Sequence, residues 1–265
     1  MSLKTNIQKI VFPLGKPQKI LNGILKGKSI IISENTQWAP IFGRWEPAMQ
    51  KIIFSALKNG DIYYDLGANF GLHGMLAAKK VSEIGHVYNF EPLKDNIEEI
   101  IKNYSLNNIK NYTNIQAAIS NKNTILNFHL AKHNGQGSLN EIESGLNTIQ
   151  VKAITLDNFI NEGTPPPNFI KMDIEGAEGD ALEGFSNNIS KTFPIMIIEL
   201  HSPEADLKVG KYLKEFNYSA YRFDTFHKLK FEKIKNLNEP WPNPDGIWGS
   251  VFCIPNKINI ENFNF

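Results

Sequence analysis

The stretch at residues 63–71, YYDLGANFG, constrains the fold of this chain more than any other. An apolar run ending at Leu66 predicts a buried strand, and two glycines, Gly67 and Gly71, follow at once. The apolar residues within 72–81 then predict a helix. A strand, a tight turn and a helix in this order bind ligands well, because glycine lets the backbone come close and the first helical turn offers unpaired N–H groups.

Acidic residues end two consecutive predicted strands and narrow the class of ligand. Asp65 stands just before the glycine turn, and Glu91 ends the apolar segment 87–90. A dinucleotide site would need G-x-G-x-x-G here, whereas the chain has G-x-x-x-G preceded by a carboxylate. A carboxylate suits a cation better than a pyrophosphate, and an acid on the second strand can bridge the hydroxyls of a ribose. We therefore predict S-adenosylmethionine as the cofactor. The alternative is that neither acid binds a ligand, with Asp65 capping a helix and Glu91 standing at a solvated strand end.

Strand-like and helix-like segments alternate after residue 61, which is typical of a parallel sheet. Small side chains near Gln116 and Ala117 would let an adenine ring lie flat on the strand predicted at 112–119. We interpret the polar loop 131–147 as a substrate lid, because loops of that length in a compact domain are usually functional or disordered. Helices are predicted at 93–107, 155–160 and 205–216, and further strands at 124–130, 148–154, 169–172, 195–201, 218–223 and 248–254.

The first part of the chain predicts an arm that could cover the cleft. It contains a hairpin from segments 21–25 and 28–32, an aromatic loop at 38–47 and a helix at 47–57. We therefore divide the chain into an arm at 1–58 and an S-adenosylmethionine-binding unit at 59–265. Candidate acceptor contacts in the arm are Trp38, Arg44, Trp45 and Glu46, although the aromatic residues could equally pack the arm onto the core.

Composition limits the partners and the compartment. The 265 residues carry a formal net charge of +1, which gives no electrostatic footprint for nucleic acid. No apolar run approaches the ~18 residues that a membrane span needs. A single cysteine, Cys253, excludes an internal disulfide and fits a reducing compartment, so we predict a cytoplasmic protein in which this thiol is buried.

A second acidic stretch follows the strand predicted at 169–172. It reads DIEGAE and contains Asp173, Glu175 and Glu178, while the next predicted strand ends in Glu199 and His201. In open parallel sheets ligands lie beyond the carboxyl ends of the strands. We therefore expect these acids to meet Asp65 and Glu91 at one edge of the sheet.

The four motifs DLGANFG, NFEP, IKMDIEGAE and IIELH together resemble the FkbM family of S-adenosylmethionine-dependent methyltransferases, over about residues 45–223. The IKMDIEGAE block is the specific part of the resemblance. It implies an α/β fold of the class I methyltransferase type. This fold is a Rossmann-like seven-stranded sheet with its last strand antiparallel and helices on both faces. It also implies O-methylation of a hydroxyl, often on a sugar, a glycan or a secondary metabolite.

The resemblance also implies roles for individual residues. Glu91 would bind the ribose, Gln116 and Ala117 would border the adenine, and the glycine turn would hold the methionine end of the cofactor. His73 departs from the family, in which a tyrosine or serine is frequent at this position. The full set of predicted cofactor contacts is Asp65, Gly67, Ala68, Asn69, Gly71, Glu91, Pro92, Gln116, Ala117 and Asp173.

Methyl transfer to a hydroxyl needs positioning and removal of a proton. The acceptor oxygen must lie about 3 Å from the methyl group, and an aliphatic hydroxyl is a poor nucleophile until it is deprotonated or metal-bound. His201 is our first choice of base, because an unperturbed pKa of about 6.5 leaves it largely neutral at pH 7. Asp173 is the alternative base, or a metal ligand together with Glu175. The predicted catalytic residues are thus His201, Asp173 and Glu175, and the predicted substrate contacts are Trp45, Glu46, Glu178 and His201.

Other functions remain open at this point. A divalent metal is not favoured, because acids at a helix start are also stabilised by the helix dipole alone. A nucleoside-binding scaffold without catalysis would share the fold but would not need acids at every strand end. A nicotinamide dehydrogenase is disfavoured by the missing G-x-G-x-x-G, and N-methylation by the absence of an N-P-P-Y block.

Overall fold

The computed structural model describes residues 11–33, 38–130, 137–138, 148–242 and 246–265. Most predicted elements are found within a few residues of their predicted bounds. A short 3-10 turn, Ile260–Asn262, follows the last strand. In chain order the other elements are β1 (Pro17–Lys19), β2 (Ser29–Ile31), α1 (Pro47–Ala56), β3 (Ile62–Leu66), α2 (Leu72–Val81), β4 (His86–Phe90), α3 (Lys94–Ser105), β5 (Tyr112–Ile115), β6 (Ala118–Ile119), β7 (Thr124–Leu130), β8 (Gly137–Ser138), β9 (Thr148–Ile154), α4 (Leu156–Asn161), β10 (Phe169–Met172), α5 (Glu178–Glu183), α6 (Ser186–Thr192), β11 (Ile195–Glu199), α7 (Pro203–Glu215), β12 (Tyr218–Arg222), β13 (Glu232–Lys233) and β14 (Ser250–Pro255).

The main sheet has the strand order β13-β12-β14-β11-β10-β3-β4-β5. Strands β11, β10, β3, β4 and β5 run parallel, and the last strand, β14, is antiparallel to both of its neighbours. This arrangement confirms the predicted class I methyltransferase fold. The predicted count of seven strands is corrected to eight for the described residues, because the two-residue strand β13 pairs with the outer edge of β12.

Helices cover both faces of the sheet. Successive strand residues point to opposite faces. Tyr63 and Phe169 accordingly pack in one core cluster with α1, α2 and α3. Tyr64 and Ile170 pack in a second cluster with α4 to α7, and Cys253 on β14 is fully buried there, as predicted. Within the described residues, no helix has the length and apolar character that a membrane crossing requires.

A smaller four-stranded sheet, β6-β9-β7-β8, lies beside the main one. The predicted strands at 124–130 and 148–154 are confirmed and pair antiparallel. The single strand predicted at 112–119 is wrong, because the chain turns after Ile115 and the backbone N–H of Ala117 donates back to the Ile115 carbonyl at 2.9 Å. Strand β6 then joins β9. The predicted lid at 131–147 lies outside the described residues except for β8, which pairs with β7.

The described residues before β3, 11–33 and 38–61, form a leader that packs against α3. Its hairpin pairs β1 with β2, so the predicted first strand at 21–25 is wrong and this segment forms the turn. The edge of β2 is closed by side chains at the end of α3 and in the turn after it, since the backbone N–H groups of Ser29 and Ile31 donate to the amide oxygens of Asn107 and Asn103, both at 2.8 Å. The leader shares a hydrophobic cluster with α2 and the sheet. The division at residues 58 and 59 stays a prediction.

Candidate active site

A row of polar side chains crosses the buried sheet one residue before its strands end. Lys171 on β10 is in register with Asp65 on β3, which is in register with Asn89 on β4 and through it with Asn114 on β5. Residues in register on parallel strands project from the same face. Asn89 donates to the Asn114 side-chain oxygen at 2.9 Å, and the Tyr104 hydroxyl donates to Asn89 at 3.2 Å. This row forms a polar layer directly beneath the strand ends.

Lys171 neutralises the acid that precedes the glycine turn. Its ammonium lies 3.5 Å from Asp65 Oδ1 and 3.7 Å from Asp173 Oδ2, and it donates to the Gly67 carbonyl at 2.8 Å. Burial raises the pKa of Asp65 to about 6, and Lys171 works against that rise. Burial alone would lower the pKa of Lys171, but the carboxylates around it, led by Asp65, raise it. The Asp65 side chain is fully buried in this pair and does not line the cleft, unlike the predicted cofactor contact.

The glycine turn after β3 is held against two strand ends. The backbone N–H groups of Gly67 and Ala68 donate to the Phe90 carbonyl at 3.0 and 3.1 Å. Gly67 has φ 78°, and a Cβ there would lie 1.9 Å from the Asp173 carbonyl oxygen, so only glycine fits. Asn69 also has a positive φ of 51°. Gly67, Ala68 and Asn69 line the cleft, whereas Gly71 packs against α3 and does not.

Glu91 is fixed at the cleft wall by backbone groups. Its two oxygens accept from the N–H of Asn69 at 2.9 Å and of Leu93 at 3.0 Å. Burial raises the pKa of this carboxyl to about 7, and both N–H donors lower it. Pro92 and Ala117 lie in the same wall, as predicted, but Gln116 is exposed and lies outside it.

The strand ends enclose a cleft with about 1110 Å³ of empty space, its open mouth included. The side formed by β4, β6 and β7 is mainly apolar, and the side formed by the leader, β10 and β11 is mainly acidic. The lining residues are Trp45, Glu46, Gly67, Ala68, Asn69, Phe70, Leu72, His73, Phe90, Glu91, Pro92, Leu93, Ala117, Ala118, Ile119, Phe128, Lys171, Asp173, Ile174, Glu175, Ala177, Glu199 and His201.

His201 is surrounded by three carboxylates at the acidic side. Its Nε2 lies 3.8 Å from Asp173 Oδ1 and 3.8 Å from Glu175 Oε2, and its Nδ1 lies 3.5 Å from Glu178 Oε1. Burial lowers the pKa of the imidazole, but Glu178, Asp173 and Glu175 outweigh it and raise the pKa to about 9. The expectation of a neutral His201 at pH 7 is therefore corrected. The raised pKa of His201 could not be predicted from the sequence, because the carboxylates that cause it lie at residues 173–178, in a different part of the chain.

Glu178 contacts His201 from within the core and does not line the cleft. Its side chain is fully buried, and Oε1 accepts from the backbone N–H of Ile174 at 3.3 Å and of Gly176 at 3.1 Å. These bonds shape the loop that presents Glu175, which has a positive φ of 55°. The predicted substrate contact at Glu178 is thus not seen in the cleft wall.

The leader adds a further acid, Glu46, to the cleft. Glu46 Oε2 lies 3.3 Å from Nε2 of His73 on α2, and Trp45 packs edge-on against Phe70. Burial, with Glu199 and Asp173 nearby, raises the pKa of Glu46 to about 8. Burial and Lys171 lower the pKa of His73 to about 3, so this pair is largely uncharged at pH 7. Trp45 and Glu46 line the cleft as predicted, whereas Trp38 and Arg44 do not.

Lys171 and Glu199 line the cleft but were missing from the predicted contacts. Lys171 had a signal in the sequence, because it is the one charged residue in the apolar strand FIKM. Glu199 was recognised as an acid at a strand end but received no role. Burial and the nearby Asp173 raise its pKa to about 7. Both residues lie where the acidic side of the cleft meets the polar row.

A doubly covered parallel sheet with one antiparallel last strand, and a glycine-turn cleft at its carboxyl edge, defines a class I methyltransferase. A family model, the methyltransferase FkbM domain, matches residues 65–222. The chain belongs to this family and is a methyltransferase.

Two similar proteins illustrate the relationship. The hexuronic acid methyltransferase AglP of Haloferax volcanii is 25% identical over 178 residues, which cover 67% of this chain and 71% of that protein. The crystal structure of an FkbM methyltransferase from Methylobacillus flagellatus KT has a TM-score of 0.50 and 18% identity over 75% of this chain. The match spans 44% of that longer chain and therefore supports the fold alone.

Proposed function

We propose that the protein transfers a methyl group from S-adenosylmethionine to a hydroxyl of a sugar, a glycan or a secondary metabolite. The observation that carries this proposal is the convergence of the Gly67 turn, the fixed carboxylate of Glu91 and the acidic group around Asp173 on one cleft. The family supports methyl transfer, and the residues described below support the donor and the acceptor atom.

The charges and shape of the cleft suit this cofactor. When bound, S-adenosylmethionine supplies an electrophilic methyl group on a positively charged sulfonium. The acidic side of the cleft, with Asp173 and Glu199, favours positive charge. Glu91 presents a fixed carboxylate for ribose hydroxyls, and the apolar side with Phe90 and Ala117 suits a purine ring. Asn69 and the glycine turn let the cofactor approach the backbone.

The acceptor would enter from the acidic side. Trp45 and Glu46 come from the leader and offer an aromatic face and a hydrogen-bonding carboxyl. His201, oriented by Glu178, is the proposed recipient of the hydroxyl proton, with Asp173 as the alternative. Because its pKa is raised to about 9, His201 must lose its own proton first. The base therefore works best at alkaline pH or when positive charge is bound among the surrounding carboxylates.

A sugar acceptor is supported by one relative. AglP is named as a hexuronic acid methyltransferase, and it shares a quarter of its residues with this chain over the aligned part. The likeness to a protein that acts on a hexuronic acid and the absence of an N-P-P-Y block both support oxygen rather than nitrogen as the acceptor atom. A cytoplasmic location, the lack of a nucleic-acid partner and the arm at 1–58 stay predictions.

Transfer of labelled methyl groups tests the proposed function directly. The full chain is incubated with methyl-labelled S-adenosylmethionine and a panel of neutral sugars, uronic acids, polyols and amines, and the products are analysed by mass spectrometry. We expect label on a hydroxylated acceptor, in an ether linkage that resists base. Label only on amines would contradict O-methylation. Cofactor binding without transfer to any acceptor would favour the scaffold function.

A further inference from the structure

We propose that Asp173, Glu175 and His201 bind a divalent first-row metal ion at the acceptor end of the cleft. The catalytic use of this ion rests on the proposed function, whereas its binding can be tested without cofactor or acceptor. The sequence alone did not favour a metal. Three features of the structure favour it: the placing of the donor atoms, the contact of Glu178 with His201, and the excess of carboxyl groups.

The three side chains already present their donor atoms to one point. His201 Nε2 lies 3.8 Å from an oxygen of Asp173 and 3.8 Å from an oxygen of Glu175, and all three donor atoms lie within 4.8 Å of one another. Around an ion with bonds of about 2.0–2.2 Å, donors are separated by about 3 to 4.4 Å. Sub-ångström side-chain shifts are therefore enough to close the site.

The fully buried carboxylate of Glu178 lies on the Nδ1 side of the His201 ring. Glu178 lies 3.5 Å from His201 Nδ1, which leaves Nε2 directed at Asp173 and Glu175. Metal-binding histidines almost always donate their second N–H to such a group, which fixes the ring and the tautomer. Loop contacts alone would not require Glu178 to reach the histidine. The position of this carboxylate fits a histidine whose Nε2 is directed toward a ligand shared with Asp173 and Glu175.

Carboxyl groups outnumber the cations at this site, because Asp65, Asp173, Glu175, Glu178 and Glu199 lie around Lys171 and His201 alone among the described residues. Among the described residues, Glu178 Oε2 and Glu199 Oε2 are buried and accept no hydrogen bond. Lys171 is already shared between Asp65, Asp173 and the Gly67 carbonyl. Buried carboxyl oxygens without partners are costly, and a bound cation removes much of that cost. An imidazole nitrogen in the donor set favours a first-row ion such as Mn²⁺ over Ca²⁺.

Such an ion would also offer a second route to activation of the acceptor. A metal-bound hydroxyl loses its proton far more readily than a free one, so the acceptor could be activated by the ion itself. His201 would then act as a ligand instead of accepting the proton. Two carboxylates and one imidazole leave open positions on the ion for the hydroxyls of the acceptor.

Binding of Mn²⁺ tests the proposed metal site. The full chain is treated with EDTA, dialysed and titrated with MnCl2 by calorimetry, while the resonance of free Mn²⁺ is followed by electron paramagnetic resonance. We expect one saturable site, and we expect Glu175→Gln and His201→Gln each to weaken it at least about tenfold. The matched control, Glu183→Gln, removes an exposed carboxylate on the next helix and should bind Mn²⁺ as the unmodified protein does. Thermal unfolding confirms that each variant is folded.

Two results would overturn the metal site. One is the absence of saturable Mn²⁺ binding by the unmodified protein. The other is an affinity for Mn²⁺ in both Glu175→Gln and His201→Gln that equals the affinity of the unmodified protein. Titration of the same samples with S-adenosylhomocysteine separates this proposal from the proposed function. Binding of S-adenosylhomocysteine without Mn²⁺ binding contradicts only the metal site. Binding of Mn²⁺ that depends on Glu175 and His201, without binding of S-adenosylhomocysteine, supports the metal site and contradicts the cofactor.

Discussion

Lys171 is the residue on which the electrostatics of the cleft depend. It is a lysine in the middle of a buried strand, and it faces Asp65 because the two residues are in register on adjacent strands. A buried charge without a partner is strongly destabilising, so each member of the pair needs the other. The pair also ties the glycine turn to β10 through the Gly67 carbonyl.

Replacement of Lys171 by methionine should therefore destabilise the fold. We expect the free energy of unfolding to fall by about 3–5 kcal/mol, because Asp65 is left buried without its cation. The double variant Lys171→Met/Asp65→Asn should recover part of this loss. Urea unfolding measures both values. The control Lys152→Met, at an exposed position of β9, should change the free energy by less than about 0.5 kcal/mol. Equal effects at the two lysines would contradict the buried ion pair.

His201 can be tested apart from cofactor binding. In His201→Gln we expect affinity for S-adenosylhomocysteine to stay unchanged and turnover to fall at least about 100-fold, the usual contribution of a proton-transfer group. Calorimetry measures the first quantity and labelled methyl transfer the second. Normal turnover in this variant would remove His201 from the catalytic residues.

At the scale of elements, the turn between β3 and α2 positions the cleft. Its backbone passes so close to the end of β10 that a single methyl group at Gly67 cannot be accommodated. The turn is therefore a joint between strands that are far apart in the chain, and any displacement of it moves Asn69 and Asp173 relative to each other.

Gly67→Ala should accordingly disrupt cofactor binding. The added Cβ would meet the Asp173 carbonyl at 1.9 Å, in addition to the cost of a positive φ. We expect at least about a 100-fold loss of affinity for S-adenosylhomocysteine. Gly27→Ala is the matched control, because Gly27 has φ 86° and nothing within 4 Å of the added carbon. The Gly27→Ala variant should have only the strain of a positive φ, and its affinity for S-adenosylhomocysteine should equal that of the unmodified protein. Equal losses in the two variants would show that the close approach at Gly67 does not matter.

The elements themselves were largely predictable from the sequence. Periodicity gave α2 and β10 with their observed bounds, because both combine a strong apolar pattern with clear flanking signals. The leader hairpin was misplaced because β1 reads Pro-Gln-Lys and has no apolar alternation, while its pairing is set by contacts with β2. The predicted strand at 112–119 missed the break after Ile115, because β6 is defined by its pairing with β9. That strand lies about 30 residues further on in the chain.

The site was predictable in location and less so in detail. Strand ends carrying acids indicated the cleft, since parallel strands end at a common edge. Which acids face the cleft depends on distances that no motif contains. Asp65 and Glu178 turn inward to Lys171 and to backbone N–H groups, while Glu46 arrives from the leader.

At the scale of the whole molecule, the protein buries several carboxyl groups whose charged forms are disfavoured. Burial is the largest cause in each case, and it raises the pKa to about 8 for Glu46, 6 for Asp65, 7 for Glu91 and 7 for Asp206. Each of these groups holds its proton more tightly in the folded state than in the unfolded state, where the pKa is about 4.

Stability should therefore fall as the pH rises through neutrality. A carboxyl whose pKa is raised on folding contributes its stability at low pH, and that contribution is lost as the pH approaches its folded pKa. We expect the free energy of unfolding at pH 6.0 to exceed that at pH 8.5 by at least about 1 kcal/mol. His73, with a lowered pKa, opposes the trend only below about pH 6.5. Urea unfolding at both pH values measures the difference, and Glu46→Gln should reduce it. A stability that rises toward pH 8.5 would contradict these charge states.

Binding of the cofactor is the most direct test of the account as a whole. Calorimetric titration with S-adenosylhomocysteine should give one site with micromolar affinity. Glu91→Gln should weaken it at least about tenfold, because an amide replaces the carboxyl group that would bind the ribose hydroxyls. Glu98→Gln, an exposed change on α3, should bind as the unmodified protein does. Absence of binding by the folded, unmodified protein would contradict the assignment of the cleft to S-adenosylmethionine.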